Sequence, residues 1–122
     1  MLGWLKSSPR PTRQQLLSSV PHKNVLVKET AMAEGLRLTA PLRPNRLREV
    51  LGARAGEKSF ELDQLGGFTW RSIDGKRNIE GLIRLFAEEQ RVSLREADVS
   101  VVAFLKMLAQ RNLIGLVTPR DE

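Results

Sequence analysis

The sequence predicts an α+β fold, a small winged-helix-like module in which a three-stranded antiparallel sheet precedes a three-helix bundle. Three observations predict it. Apolar residues alternate with period two across 24–41, and a short apolar strand-like run follows at 59–62. From residue 63 onward the apolar period becomes helical. Asp63, Asn78 and Ser93 are capping residues that divide this second half into three helices. The 122 residues have room for one domain with extensions.

In chain order, residues 1–23 carry Pro9, Pro11 and Pro21 among Ser, Gln and Arg, which reads as a flexible or loosely docked basic arm. Thr12 caps a short turn within it, ending near Val20. The domain proper is expected over 24–117, with 118–122 as a tail. Its hairpin, 24–41, sets Val25 and Val27 on one strand and Leu36 and Leu38 on the other, with Gly35 opening the second strand at positive φ. Pro41 and Pro44 stop the ladder. A basic insert, 45–58, holds Leu47, Val50 and Leu51 at helical spacing, with Gly52 and Gly56 ending that turn. The third strand is 59–62. The helices are expected over about 63–73, 78–90 and 93–111, broken by Asp74-Gly75 and opened last by the capping box Ser93/Glu96. Asn112 is a left-handed stop, and Leu113–Val117 is a closing strand or coil.

Charge is distributed unevenly. Residues 1–58 hold 11 Lys/Arg against 4 Asp/Glu, whereas 59–122 hold 9 against 10. The basicity therefore belongs to the N-terminal half and not to the helices. With no cysteine, disulfides and thiolate metal sites are excluded, and a reducing, cytoplasmic address fits. No apolar run approaches the roughly 20 residues of a membrane span, and the start of the chain has no secretory h-region.

The catalytic inventory is thin. His22 is the one histidine, and it stands beside Pro21 without a second ligand or base. The carboxylate pairs Glu61/Asp63, Glu88/Glu89 and Glu96/Asp98 sit at helix ends, where they read as capping and solvated surface. Gly66-Gly67 lacks the Lys-Ser/Thr of a phosphate loop, so it reads as close backbone packing, and Trp70 reads as core. No enzyme activity, cofactor or metal is expected.

The last helix is the most informative element. Val101, Phe104, Leu105 and Leu108 make one apolar face, which suffices for core packing. Val99, Ala103 and Met107 make a second stripe, bordered by Lys106 and Gln110. A second stripe means either a more enclosed helix or a groove awaiting a ligand, and Met107 favours the groove because methionine suits adaptable surfaces.

From Ser59 to Leu116 the chain resembles the PqqD family, leader-peptide-recognition modules that serve enzymes modifying ribosomally made peptides. The features run in register: a strand ending in Leu62-Asp63, a helix with Gly66, Gly67 and Trp70, the turn Ile73-Asp74-Gly75-Lys76-Arg77-Asn78-Ile79, the pair Leu82-Ile83, and the helix end Phe104 to Ile114. Asn112 stands where the family usually has Gly, and the arm and the basic insert are additions to the minimal module. The resemblance implies that a precursor's leader peptide extends the sheet beside the third strand and lies against the third helix. Mapped here, Ser59, Phe60, Glu61 and Leu62 form the strand edge, and Val99, Ala103, Lys106 and Met107 form the helix wall. The implied partners are that leader peptide and a separate modifying enzyme, typically of the radical SAM (S-adenosylmethionine) class, in a pathway like that of pyrroloquinoline quinone (PQQ). A homodimer is left open.

Two other classes compete. A winged-helix DNA-binding protein shares this element content, but its reading helices would carry the near-neutral half of the charge, and Glu96 and Asp98 would repel phosphate. A docking subunit whose basic arm holds an acidic partner differs from the peptide chaperone mainly in ligand. Removal of residues 1–23 is the step expected to separate those two.

Overall fold

The computed structural model describes residues 12–41 and 56–119. In chain order these form α1 (Arg13–Ser18), β1 (Val20–Lys23), β2 (Lys28–Met32), β3 (Gly35–Pro41), β4 (Glu57–Leu62), α2 (Gln64–Ser72), α3 (Ile79–Gln90), α4 (Leu94–Gln110) and β5 (Ile114–Val117). The helical reading of Leu47, Val50 and Leu51 lies outside the described residues, as do residues 1–11 and 120–122.

The expected α+β class is observed, with a three-stranded antiparallel sheet ordered β2-β3-β4. Leu36, Leu38 and Leu62 point from it into the core, because β3 and β4 run in the register Leu36↔Leu62 and Leu38↔Phe60. Against them pack Trp70 and Ile73, then Leu82, Ile83 and Phe86 of α3, and Val101, Leu105 and Leu108 of α4. A second sheet was not expected. It pairs β1 with β5 antiparallel, from Val20↔Val117 to Lys23↔Ile114.

That second sheet changes the reading of the arm. Thr12 does cap α1, and more fully than a simple turn requires. Its hydroxyl accepts the Gln15 N–H at 3.1 Å, and the Gln15 side chain accepts the Thr12 N–H at 2.9 Å. Residues 12–23 then continue as a built part of the fold. The buried Ser19 accepts the Ile79 N–H at 2.9 Å through its backbone carbonyl, and its hydroxyl donates to the Gln15 carbonyl at 2.7 Å. Arg13 pairs with Asp98 of α4. Pro21 reads in sequence as a breaker, yet a two-stranded ladder is all edge, so a proline can be placed where no N–H is needed.

The hairpin also differs from expectation at its start. Val25 and Leu26 are 94% and 60% exposed, because Asn24 turns the chain there. Its side-chain oxygen accepts the Leu26 N–H at 3.0 Å and its carbonyl accepts the Val27 N–H at 3.1 Å. The strand therefore begins at Lys28. At Gly35 the backbone is close to extended, with φ +158°. Glycine is required there for another reason: a Cβ would overlap the Leu62 carbonyl oxygen.

The helical half follows its caps. The side chains of Asp63, Asn78 and Ser93 accept the N–H groups of Gly66, Gly81 and Glu96 at 2.8, 2.8 and 3.1 Å. Asn112 adopts φ +59°, the left-handed stop expected of it. Between α2 and α3, Asp74 Oδ1 accepts the Lys76 and Arg77 N–H groups, both at 2.9 Å, and Arg77 Nη1 donates to Oδ2 at 3.1 Å.

The backbone N–H of Arg77, then that of Lys76, and the Arg77 charge hold the Asp74 carboxyl below the ordinary aspartate range. A depressed folded value means that this contribution to stability is present above the unfolded value of about 3.9 and is lost as pH falls through the folded one. Thermal melts of wild type and Asp74→Asn should therefore differ near neutral pH and converge as pH falls through the depressed Asp74 value. A gap that stays constant with pH would show that the carboxylate charge contributes nothing to the turn.

Candidate functional site

The edge of β4 away from β3 is unpaired among the described residues, and α4 approaches its C-terminal end through Ser100 and Phe104. Strand alternation decides what each β4 residue faces. Lys58, Phe60 and Leu62 share the face of Ala40, Leu38 and Leu36, which is the face turned to the helices. Ser59 and Glu61 share the other face, where the Ser59 and Thr39 hydroxyls are 3.3 Å apart and Glu61 accepts from Arg37 at 2.9 Å.

At the C-terminal end of β4 the sheet edge opens into a cleft of about 290 Å³, lined by Leu62, Leu65, Gly66, Thr69, Phe86, Ser100 and Phe104, and by parts of Glu61 and Asp63. Small-molecule pockets run from roughly 300 to 1,000 Å³, so this cleft suits one or two side chains better than a cofactor. Gly66 helps to open it. A Cβ there would sit 3.2 Å from Phe104 Cε1 and 3.3 Å from Leu62 Cβ, so any side chain would enter the space between β4 and α4. Gly66 also lies in the first turn of α2, where Asp63 Oδ1 takes its N–H. At Gly67, next to it, an added Cβ would lie 3.7 Å from Leu36 Cβ, an ordinary contact, so the close packing expected of the pair rests on Gly66 alone.

Toward the other end of β4 the character changes from apolar to cationic. Arg111 Cζ lies 4.6 Å from the centroid of the half-buried Phe60 ring, and Lys58 Nζ lies 5.6 Å from it. The apolar cleft beside Leu62 and the cation-flanked ring of Phe60 therefore lie two residues apart on one face of β4.

Of the eight residues expected at the site, the structure turns Phe60 and Leu62 toward this groove and Ser59 and Glu61 to the opposite sheet face. On α4, continued to its C-cap Arg111, a step of 100° per residue puts Ser100, Phe104, Met107 and Arg111 within an arc of about 60°. Met107 belongs to that arc and is half-buried, and Ala103 borders it, exposed. Val99 and Lys106 lie further round the helix, and Val99 is 66% exposed. Residues 12–23 do not cover Val99. Ser100 and Arg111 are not among the residues expected here, and Phe104, read as core, is half-buried and lines the cleft. Their spacing of four, three and four is a third helical stripe, visible only once the edge of the core stripe is known.

Chemically the arrangement can bind. Its lining is apolar or hydroxylic, and its carboxylates are engaged or on the far sheet face. Among the described residues no group of three or more His, Asp or Glu could hold a metal ion, and no helix is long and apolar enough to cross a membrane.

Compared with known proteins, the chain matches one family model, described as Coenzyme PQQ synthesis protein D (PqqD), over residues 48–114. Searches of the curated proteins and of the solved structures return no match. The matched span covers more than half the chain and takes in β4, all three long helices and the first residue of β5.

Proposed function

The chain belongs to the PqqD family, and from that premise we propose that it is a non-catalytic, cytoplasmic peptide-binding accessory of a PQQ-biosynthesis-like pathway. It holds the leader of a ribosomally made precursor and presents it to a separate modifying enzyme of the radical SAM class. The observation that carries this reading is the open β4 edge lying beside a cleft of side-chain size. An extended peptide adding to that edge gains backbone hydrogen bonds from β4 and places alternate side chains between Phe60, Leu62 and the α4 wall. An unpaired edge is otherwise a liability that proteins cover, and a dedicated ligand covers it.

The reading is tested by titrating isotopically labelled full-length chain with the leader of the precursor peptide encoded beside it. Amide shifts are expected along 57–62 and on Ser100, Phe104, Met107 and Arg111. Ser100→Trp, at an exposed position on the cleft wall, should weaken binding by about tenfold or more, equal to about 1.4 kcal/mol. Val99→Asp, further round the helix, should change it by less than about twofold. Shifts confined to other surfaces, or equal effects of the two substitutions, would remove β4 and α4 as the site.

A further inference from the structure

Resting on that reading of the groove, we propose that it selects peptides with an acidic side chain near one end of the bound segment and an apolar one two to four residues away on the same face. The argument starts from Phe60. Its ring is flanked by Arg111, the residue that caps the C-terminus of α4, and by Lys58 of β4, at 4.6 and 5.6 Å, and neither cation makes an ion pair among the described residues. Two cations held over one apolar ring repel each other, and a carboxylate placed between them relieves that repulsion.

The other end of the groove has the opposite requirement. Leu62 lies on the same strand face as Phe60, two residues on, and leads into the cleft between Gly66 and Phe104. Its floor, Phe86 at 6% and Thr69 at 4% exposure, offers no charge, and the Thr69 hydroxyl already donates to the Leu65 carbonyl at 3.0 Å. An apolar side chain is what this space accepts. The Asp63 carboxylate, which lines this end of the cleft, makes an acidic residue unfavourable there. On a strand added beside β4, residues facing the helices recur every second position, so both determinants fall on one face of the peptide. Charge at one end and apolarity at the other also fix which way the peptide runs.

The test uses full-length chain and a bead-bound library of random decapeptides. The most enriched decapeptide is then remade with its acidic residue changed to the amide. Enriched sequences are expected to carry Asp or Glu two or four positions from Leu, Ile, Val, Met or Phe. The amide version should bind about five- to tenfold more weakly, and that difference should vanish in Lys58→Gln/Arg111→Gln protein. Enrichment without an acidic preference, or a preference unchanged in the double variant, would overturn the charge selection and leave the peptide-binding reading standing. No enrichment over beads lacking the protein would defeat both. Circular dichroism of the double variant separates loss of the cations from loss of the fold.

Discussion

Trp70→Ala is expected to cost about 3–5 kcal/mol, a large fraction of the stability of a domain this size. Trp70 lies in α2, is 0% exposed, and belongs to the core formed by β3, α3 and α4. Alanine would leave a cavity that rigid helices on both sides cannot close. Domains of this size carry about 5–15 kcal/mol in total, so the variant should melt some 15 °C or more below wild type, or fail to fold at 37 °C. Trp70→Phe should lose less than half as much. The indole Nε1 is buried without a hydrogen-bond partner among the described residues, and phenylalanine removes that unpaired donor along with the ring's second half. Both variants forfeit some of the contact with Lys23 Nζ, which lies 4.9 Å from the indole ring. Denaturant melts of the three proteins check the order. Equal loss in Phe and Ala variants would show that Nε1 has a partner worth keeping.

What the sequence revealed and what it hid divide along the range of the interactions. Asp63, Asn78 and Ser93 were legible because a cap bonds an N–H three residues away, and nothing distant can easily override it. Asn112 and Gly75 were legible for the same reason, since each serves a turn of its own. Beginning the first hairpin strand at Val25 failed because alternation registers apolarity and not the turn that Asn24 builds with its side chain. β1 was hidden more deeply. Its partner is at the other end of the chain, and its register, Pro21↔Leu116, puts a proline where a single-sequence reading sees only a breaker.

The site was half legible on similar grounds. Phe60 and Leu62 follow from strand alternation once β4 is known. On α4, a stripe drawn through Val99, Ala103 and Met107 turns about the axis, and only its last member reaches the groove. The proposed wall, Ser100, Phe104, Met107 and Arg111, mixes a hydroxyl, a ring, a thioether and a cation, so no hydropathy pattern marks it. What marks it in three dimensions is what stands opposite: Gly66 across from Phe104, and Phe60 beneath Arg111.

The last consequence concerns the arm. Removing residues 1–23 does not cleanly separate arm binding from peptide binding, because α1 and β1 lie within that deletion. A chain beginning at Asn24 loses the half-buried Leu16 and Leu17, the buried Pro21, the Ser19 carbonyl that takes the Ile79 N–H, and every pairing of β5 in this sheet. Burial of a full leucine is worth about 1.5–3 kcal/mol, so the two half-buried leucines and Pro21 together are worth at least about 3 kcal/mol. The truncated chain should melt roughly 10–20 °C lower than one beginning at Thr12. The penalty should fall on the core as well as on the second sheet. Ile79 opens α3, and Ile114 loses its partner Lys23, whose ammonium lies over Trp70. Comparing chains that begin at Thr12 and at Asn24 by thermal melts isolates this contribution from that of residues 1–11. Melting points within about 2 °C of each other would show that α1 and β1 ride on the domain without holding it. In that case loss of peptide binding on deleting 1–23 would have to come from direct contact with the ligand.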